Sequence, residues 1–220
     1  MITIMTYSPP AGLVRGGRDL GIAETLYVPC FLVPARADVL LDQVIAAADW
    51  QQERFVMFGR HLVAPRLTAW YGEPGTTYRY SGVERPAQAW LPSIKRLAVQ
   101  VEAAVGWRFN YVLVNRYRDG NDMLGWHADD EADLGDAPVL AAISVGAERV
   151  FRMRPRGGGP STAATLGHGS LLLMWGNSQR DYKHCLPRTR RRSVGERLSF
   201  TFRQTRQVAG PVGPGAPERR

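Results

Sequence analysis

Hydrophobic residues recur with two different periods along this chain. Between residues 34 and 48, and again between 92 and 105, they are spaced three or four positions apart, and each stretch begins with a proline. This spacing places the apolar side chains on one face of an α-helix, and proline is well tolerated in the first helical turn. The pattern predicts two amphipathic helices that begin at Pro34 and Pro92.

From residue 109 onward the apolar residues come instead in short runs separated by Gly, Asp and Asn. Five of these runs have the length and composition of buried β-strands. They are YVLVNRY (111–117), VLAAISVG (139–146), RVFRMR (149–154), SLLLMW (170–175) and RLSFTFR (197–203). Two helices followed by many short strands predict an α+β domain whose β part is a sandwich or barrel.

The two ends of the chain differ from this body. Residues 1–22 and 207–220 are rich in Gly, Pro and Arg and have no hydrophobic period, which is typical of flexible segments. We therefore expect one folded domain over residues 23–206. No run approaches the roughly 18 apolar residues that cross a bilayer, and the N-terminus lacks the pattern of a secretory signal. The expectation is a monomeric protein with no membrane partner, located in the cytoplasm, or in the nucleus if the source is eukaryotic.

Composition says little about the chemistry of this protein, but its charge bears on the class of binding partner. The two cysteines, Cys30 and Cys185, form no C-x-x-C pair, so we expect two small buried hydrophobic residues and no cysteine-rich zinc site. The net charge is +8 and the pI is near 10.0, which favours a polyanionic partner. Five arginines lie within ten residues, at positions 188, 190, 191, 192 and 197. A GC-rich genome could also produce an arginine excess, so charge alone leaves nucleic-acid binding open.

Candidate metal ligands stand out among the four histidines. His127 and Asp129 are separated by one residue, so an extended backbone places both side chains on one side. His184 offers a third ligand. Two imidazoles and a carboxylate leave three positions open on Fe(II) for a chelating cosubstrate and dioxygen, although the same ligands could hold a catalytic zinc with one water. Arg197 and Arg203, on one face of one strand, favour iron, because buried guanidinium groups there would need a dicarboxylate partner.

Several of these motifs occur together and in order. They are NRYRDGNDMLGWHADDE (115–131), SVGAERVFRMR (144–154), LGHGSLLLMWG (166–176), HCLP (184–187) and RLSFTFR (197–203). Together they resemble the AlkB family of Fe(II)/2-oxoglutarate-dependent dioxygenases. PRLTAWYG (65–72) and TYRYSG (77–82) resemble the subgroup that repairs alkylated double-stranded DNA. The resemblance covers about residues 50–206.

This resemblance implies a fold and a set of ligands. The fold is a double-stranded β-helix, or jelly roll, with N-terminal helices and a nucleotide-recognition hairpin region. Fe(II) is held by His127, Asp129 and His184, and dioxygen is a further reactant. The residues implied for 2-oxoglutarate are Asn115, Tyr117, Arg197 and Arg203, with Arg203 holding the distal carboxylate. Ser199 stands where many members carry Asn and is left out of that set.

The implied reaction is oxidative demethylation of N-alkylated bases, chiefly 1-methyladenine and 3-methylcytosine, in DNA. It converts 2-oxoglutarate to succinate and CO2 and releases formaldehyde. A base methylated on its pairing edge pairs poorly, so its extrusion from a duplex costs less than that of a normal base. The implied substrate contacts are Phe58, Arg66, Tyr78, Tyr80 and Glu131. Among them, Phe58 would fill the gap left by the flipped base, Tyr80 would stack on the base, and Arg66 would contact the nucleic-acid backbone.

Three alternatives share most of these residues. One is an RNA or tRNA demethylase of the same family, because tolerance of the 2′-hydroxyl is invisible in a sequence. Another is a nucleic-acid binding module that has lost catalysis, although the complete ligand set argues against it. The third is a dioxygenase that acts on a small molecule. Strand preference and the exact lesions are beyond the sequence.

Overall fold

The computed structural model describes residues 14, 16–57, 59–80, 83–189 and 193–205. Within the expected flexible ends, residues 14 and 16–22 are described and include a short strand at Arg18–Asp19; the other residues of both ends lie outside the described part of the chain. The helices are α1 (Pro34–Ala47), α2 (Pro92–Val105) and α3 (Ser178–Asp181), with a 3-10 turn at Ala132–Leu134. The strands are β1 (Arg18–Asp19), β2 (Thr25–Val28), β3 (Arg54–Met57), β4 (Arg60–Val63), β5 (Leu67–Gly72), β6 (Thr77–Tyr80), β7 (Val83–Pro86), β8 (Gln88–Ala89), β9 (Tyr111–Tyr117), β10 (Leu124–His127), β11 (Leu140–Gly146), β12 (Arg149–Pro155), β13 (Thr162–Leu166), β14 (Ser170–Met174), β15 (Tyr182–Leu186) and β16 (Arg197–Arg203).

Two sheets organise these strands. The major sheet has the order β1-β2-β14-β11-β16-β9-β5-β8, and the minor sheet has the order β10-β15-β12-β13. The pairs within both sheets are antiparallel except for β5 with β8. Two separate hairpins, β3–β4 and β6–β7, follow the first helix. Apart from β1 with β2 and β12 with β13, neighbours in these two sheets are not consecutive in the chain, so this topology depends mainly on long-range pairing.

Both predicted helices are confirmed and cover the major sheet. Each begins with its proline, and α2 ends at Gly106, whose φ of 70° lies in the left-handed region that glycine tolerates best. The apolar face of each helix is buried at helical spacing. These residues are Ala37, Leu40 and Val44 in α1, and Ile94, Leu97, Ala98, Val101 and Val105 in α2. They form one hydrophobic core with side chains of β9, β11, β14 and β16.

The central strand β16 contributes side chains to a hydrophobic core on one face and to a cavity on the other. All seven of its residues are buried. Leu198, Phe200 and Phe202 belong to the core beneath the helices. The alternate residues Arg197 and Arg203, together with Ser199 and Thr201, line a cavity on the opposite face. Because successive side chains of a strand point to opposite faces, one hydrophobic layer and one polar wall come from the same short segment.

A second hydrophobic core lies between the two sheets. It joins major-sheet residues such as Leu113 and Leu172 to minor-sheet residues such as Phe151 and Met153. Two facing antiparallel sheets with helices on the outer face of one confirm the expected α+β fold with a jelly-roll core. The five strands predicted from hydrophobic runs are also present, within one or two residues at their ends.

Two smaller expectations can be compared with the structure. Cys185 is buried as expected, but Cys30 is exposed, so the interpretation of Cys30 as a core residue is wrong. It lies in the turn between β2 and α1, where the chain leaves the sheet before it enters the helix layer. Among the described residues, no helix has both the length and the apolar character needed to cross a membrane.

Candidate active site

A cavity that opens to solvent lies between the inner faces of the two sheets. Its wall combines an apolar part with several buried polar groups. The apolar part includes Leu113, Ala142, Phe151, Leu172 and Met174, and the polar part includes Arg66, Asn115, Tyr117, His127, Asp129, His184, Arg197 and Arg203. A concave apolar pocket with a few converging polar groups is the usual form of a site for a small molecule.

Three of these polar groups converge at one point of the cavity. His127 ends β10 and pairs directly with His184 of β15, so the two side chains face the same side and their rings lie 4.2 Å apart. Asp129 follows two residues later, and its Oδ1 lies 3.8 Å from His127 Nε2. One ligand atom from each of the three residues lies within 4.8 Å of the others. The sequence-predicted metal ligands are thus together, close enough to share one ion.

The ionisation of these groups suits a metal ion. Burial lowers the pKa of His184 to about 3 and also lowers the pKa of His127, so both imidazoles are neutral at pH 7. Burial raises the pKa of Asp129, but the attraction of the Arg203 guanidinium, together with smaller effects of His127 and His184, outweighs burial and holds the pKa at about 2. Neutral imidazole and ionised carboxylate are the states that bind a metal without first losing a proton.

Hydrogen bonds also leave the metal-facing atoms available. His127 Nδ1 lies 2.8 Å from the carbonyl oxygen of Gly125, which fixes the ring with Nε2 directed toward Asp129. His184 Nδ1 is buried and has no hydrogen-bond partner among the described residues. The backbone N–H of Asp129 donates to Gln179 Oε1 at 3.0 Å. A metal ion would satisfy donor atoms that the protein itself leaves unpaired, so the residues present fit the ion that the sequence predicts.

The two arginines of β16 have different surroundings. Arg203 Nη2 donates to Asp129 Oδ2 at 2.7 Å, and Arg203 Nη1 donates to the Thr201 carbonyl oxygen at 3.1 Å. Arg197 Nη2 donates to Ser144 Oγ at 2.8 Å, and its guanidinium lies 5.2 Å from the ring centre of Tyr117. Burial lowers the pKa of Arg197 to about 10, which still leaves the group charged at pH 7. Arg197 has no ion pair with any described carboxylate, whereas Arg203 is already paired.

These surroundings bear on one expectation from the sequence. We expected Arg203 to hold the distal carboxylate of the cosubstrate. The structure instead places Arg203 beside the metal ligand Asp129 and places Arg197, six residues and roughly 20 Å of strand away, at the other end of β16. The group at the far end of the cavity is therefore Arg197. The spacing of two arginines gives their common face but does not say which one lies near the metal.

Comparison with known proteins agrees with this site. A model of the 2OG-Fe(II) oxygenase superfamily matches residues 24–203. The alpha-ketoglutarate-dependent dioxygenase alkB homolog 3 of Rattus norvegicus is 37% identical over 192 residues, which cover 83% of this chain and 64% of the relative. The DNA oxidative demethylase ALKBH2 of Arabidopsis thaliana is 32% identical over 213 residues, covering 84% of this chain and 68% of the relative. The chain belongs to the AlkB family.

Two further comparisons describe the extent of this similarity. The human DNA oxidative demethylase ALKBH2 is 38% identical over 159 residues, covering 69% of this AlkB-family chain and 60% of the relative. The chain thus spans about two thirds of the length of these curated relatives. A solved structure of OsALKBH1 superimposes with a TM-score of 0.60 at 18% identity, covering 83% of this chain and 99% of that one, which shows the shared fold. Both homolog 3 and ALKBH2 are matched, so the double-strand subgroup stays a prediction.

The expected cosubstrate and backbone contacts of this AlkB-family protein divide into two groups. Asn115 and Tyr117 both lie in β9 and line the cavity, as expected. Arg66 was expected to contact the nucleic-acid backbone, but it is only 7% exposed and also lines the cavity. Its Nε donates to Asn115 Oδ1 at 2.8 Å, and its Nη2 lies 3.7 Å from Glu53 Oε2. The structure therefore places Arg66 in the cavity wall, and its contact with nucleic acid stays a prediction.

The expected base contacts are described only in part. Tyr78 is fully buried, and its hydroxyl donates to Glu131 Oε2 at 2.6 Å. Burial raises the pKa of the Glu131 carboxyl, and the nearby charge of Asp129 raises it further. Tyr80 ends β6, but its side chain, like the whole of Phe58, lies outside the described residues. Tyr78 and Glu131 are thus brought together beside the metal ligands, and the roles of Phe58 and Tyr80 stay predictions.

Sequence reasoning missed the residues that hold this AlkB-family site in place. Gln179 binds the Asp129 backbone, Ser144 binds Arg197, and Glu53 lies against Arg66. Each of these contacts joins residues that are at least 13 positions apart in the sequence. The motifs gave no signal for Gln179 or Glu53. Ser144 begins the quoted motif 144–154, and its opposition to Ser199 in the β11–β16 register could have drawn attention to it.

Proposed function

We propose that this protein is an Fe(II)/2-oxoglutarate-dependent dioxygenase that removes methyl groups from N-alkylated bases in DNA. One observation carries the proposal. The cavity has three metal ligands near one end and, at the other end, the buried guanidinium of Arg197, which no described carboxylate neutralises. A buried unpaired cation is costly, so the site calls for an anion of the cavity's size that also reaches the metal. A dicarboxylate cosubstrate meets both demands.

The charges along the cavity support an orientation for that cosubstrate. His127, Asp129 and His184 would hold iron and leave three coordination positions open. Arg197, with Ser144 and Tyr117 beside it, would bind the distal carboxylate, because it has no acidic partner among the described residues, whereas Arg203 has one. Arg203 would stay paired with Asp129 and fix the orientation of that ligand.

The chemistry of the step divides between the bound groups and the protein. Iron and 2-oxoglutarate, when bound, supply the oxidation: one atom of O2 enters succinate as CO2 leaves, and the other is inserted into a methyl C–H bond. The hydroxymethyl group then leaves the base nitrogen as formaldehyde. The protein keeps both imidazoles neutral and Asp129 ionised, and its apolar wall excludes water from the reacting carbon.

Nucleic acid is the substrate class best supported. Relatives that match over most of this chain are named DNA oxidative demethylases, and the chain carries a net charge of +8. Glu131, held by the Tyr78 hydroxyl, is a carboxyl group near the metal ligands that could pair with the exocyclic amine or the positive charge of a methylated base. We propose 1-methyladenine and 3-methylcytosine, which are cationic and easily extruded, as the substrates.

The test is turnover of defined oligonucleotides. Iron-loaded protein with 2-oxoglutarate is incubated with 3-methylcytosine in single-stranded DNA, duplex DNA and RNA, and the loss of the methyl group is followed by mass. Asp129→Ala is expected to abolish turnover by removing an iron ligand. Asp136→Ala, the same change at an exposed aspartate outside the cavity, is the matched control and is expected to keep full activity.

Each outcome separates the candidates. Methyl loss that requires both iron and 2-oxoglutarate supports the proposal. The ratio of the turnover rates on DNA and RNA shows which nucleic acid is the preferred substrate. Faster reaction on RNA would replace the proposed substrate with RNA. Succinate formation without methyl loss would refute these bases as substrates, and no succinate from iron-loaded protein would refute the dioxygenase itself.

A further inference from the structure

A buried cluster of charges lies between the two hairpins and the cavity. The Glu53 cluster consists of Arg85, Glu53, Arg66 and Asn115. Glu53 Oε1 accepts a hydrogen bond from Arg85 Nη2, and Glu53 Oε2 lies 3.7 Å from Arg66 Nη2. Arg66 Nε then donates to Asn115 Oδ1 at 2.8 Å. One carboxylate thus lies between two guanidiniums, and the second of these ends on a residue of the cavity wall.

The members of this cluster come from four different segments. Glu53 directly precedes β3, Arg85 lies in β7, Arg66 directly precedes β5, and Asn115 lies in β9 of the major sheet. The cluster therefore ties the β3–β4 hairpin and the β6–β7 hairpin to the strand that carries candidate cosubstrate ligands.

Burial makes these contacts strong. Arg66 and Arg85 are each 7% exposed, Asn115 is 4% exposed, and the Glu53 side chain is 16% exposed. Because little water screens the charges, loss of the Glu53 carboxylate would leave two guanidiniums buried without an anion between them. Their repulsion would displace Arg66 from its present position.

The orientation of Asn115 depends on Arg66. A guanidinium has only donors, so it selects the amide orientation in which the carbonyl oxygen Oδ1 faces it. The Nδ2 group then points away from Arg66, and no described residue accepts a hydrogen bond from it. Asn115 lines the cavity, so its two N–H donors are available to a carboxylate bound there.

We propose that Glu53 is a positioning residue that sets the affinity for 2-oxoglutarate through Arg66 and Asn115. The inference rests on the proposed function, because it assumes that 2-oxoglutarate is the ligand of the cavity. Glu53 itself is not among the residues that line the cavity. Its effect on the site passes through two successive contacts.

The experiment measures binding rather than turnover. 2-Oxoglutarate is titrated calorimetrically into protein loaded with Mn(II), which fills the metal site without oxidation. Glu53→Gln removes the charge at nearly constant shape and is expected to raise the dissociation constant of 2-oxoglutarate about tenfold, which is the value of one charge-assisted hydrogen bond. The affinity for Mn(II) is expected to stay unchanged, because the metal ligands are not in the cluster.

A matched control lies on one of the same hairpins. Glu84 is next to Arg85 in sequence, but its ion pair with Arg79 is on the surface, at 3.6 Å, with side chains that are 51% and 65% exposed. Glu84→Gln is therefore expected to leave the 2-oxoglutarate affinity unchanged.

A double-mutant cycle distinguishes positioning from a general structural role. If Glu53 acts through Asn115, Glu53→Gln raises the dissociation constant of 2-oxoglutarate about tenfold in the native background. In the Asn115→Ala background it raises that constant by less than about twofold. An equal rise of the dissociation constant in both backgrounds would overturn the proposal. A folded Glu53→Gln protein that binds 2-oxoglutarate as tightly as the native protein would overturn it as well.

Arg66→Lys covers the possibility that Glu53→Gln does not fold. A lysine keeps the charge beside Glu53 but has a single ammonium, which cannot reproduce the fork that binds Glu53 and Asn115 together. The Arg66→Lys variant is expected to bind 2-oxoglutarate about tenfold more weakly than the native protein. An affinity equal to that of the native protein would overturn the inference. If the native protein with Mn(II) bound no 2-oxoglutarate, the proposed function itself would fail, which is a different result from equal binding in native and variant proteins.

Discussion

The ion pair between Arg203 and Asp129 gives a sharp prediction about stability. The two groups are 3% and 2% exposed, and the Nη2–Oδ2 distance is 2.7 Å. Arg203→Met keeps most of the side-chain volume but leaves the Asp129 carboxylate buried without its guanidinium. Breaking a buried pair from one side costs about 3–5 kcal/mol, which for a chain of this length lowers Tm by roughly 6–20 °C.

The assay is thermal and urea unfolding of chelator-treated protein, with and without added Mn(II). The metal ion provides a new positive partner for Asp129, so Mn(II) is expected to raise the Tm of Arg203→Met by more than it raises the native Tm. Arg180→Met is the matched control. Arg180 pairs with Asp181 at 2.8 Å, but the two side chains are 62% and 45% exposed, so its loss is expected to cost less than about 1 kcal/mol.

The pH dependence has a definite sign. In the metal-free protein the pKa of Asp129 is about 2, below its ordinary value of 3.8, so the pair contributes stability that is present above pH 3.8 and is lost as the pH falls toward 2. Arg203→Met lacks this contribution. The difference in unfolding free energy between the native protein and the variant is therefore expected to be largest near neutral pH and to narrow below about pH 4.

Two results would refute this reasoning. One is a loss of unfolding free energy in Arg203→Met that is no larger than the loss in Arg180→Met. The other is a loss that stays constant from neutral to acidic pH, which would mean that lost packing, rather than the exposed charge of Asp129, destabilises the variant.

Three further predictions concern the cavity and its substrate side. Ser144→Ala removes the hydroxyl that accepts from Arg197 Nη2, so the dissociation constant of 2-oxoglutarate is expected to rise by up to about tenfold in calorimetry. Tyr78→Phe removes the donor to Glu131 and is expected to lower kcat/KM for a methylated oligonucleotide about tenfold, with 2-oxoglutarate affinity unchanged. Phe58→Ala is expected to slow turnover on duplex DNA much more than on single strands, as measured by the ratio of the two kcat/KM values.

Each of these three has its own contrary result. Unchanged cosubstrate affinity in Ser144→Ala would place the distal carboxylate away from Arg197. A parallel loss of 2-oxoglutarate binding in Tyr78→Phe would mean that the hydroxyl supports the pocket rather than the substrate. Equal losses on duplex and single strands would exclude insertion of Phe58 into the base stack.

The sequence predicted the fold well where hydrophobic period is strong. The helices from Pro34 and Pro92 and the strand 197–203 are confirmed, because their apolar residues repeat with a clear spacing. Strands β10 and β15 were not predicted as strands, since LGWH and YKHCL show no strict alternation. They form by long-range pairing, of β10 with β15 and of β15 with β12, and a local pattern does not contain that pairing.

The sequence predicted the metal ligands of the site but not the contacts around them. The metal ligands follow from residue types that few other roles would bring together in ordered motifs, and the structure unites them. The pairing of Arg203 rather than Arg197 with Asp129 was missed, because only the register of β16 against its neighbours fixes which end meets Asp129. Glu53 was missed for a related reason: its partners lie 13 and 32 positions away and form no motif.

The alternation along β16 also limits how this protein can evolve. A one-residue insertion or deletion within the strand would exchange its two faces, so that Phe200 would enter the polar cavity and a guanidinium would enter the apolar layer under the helices. No single compensating substitution could repair that exchange. Descendants of this sequence can therefore change chain length in the loops and hairpins, while β16 accepts new residues only by replacement, one position at a time.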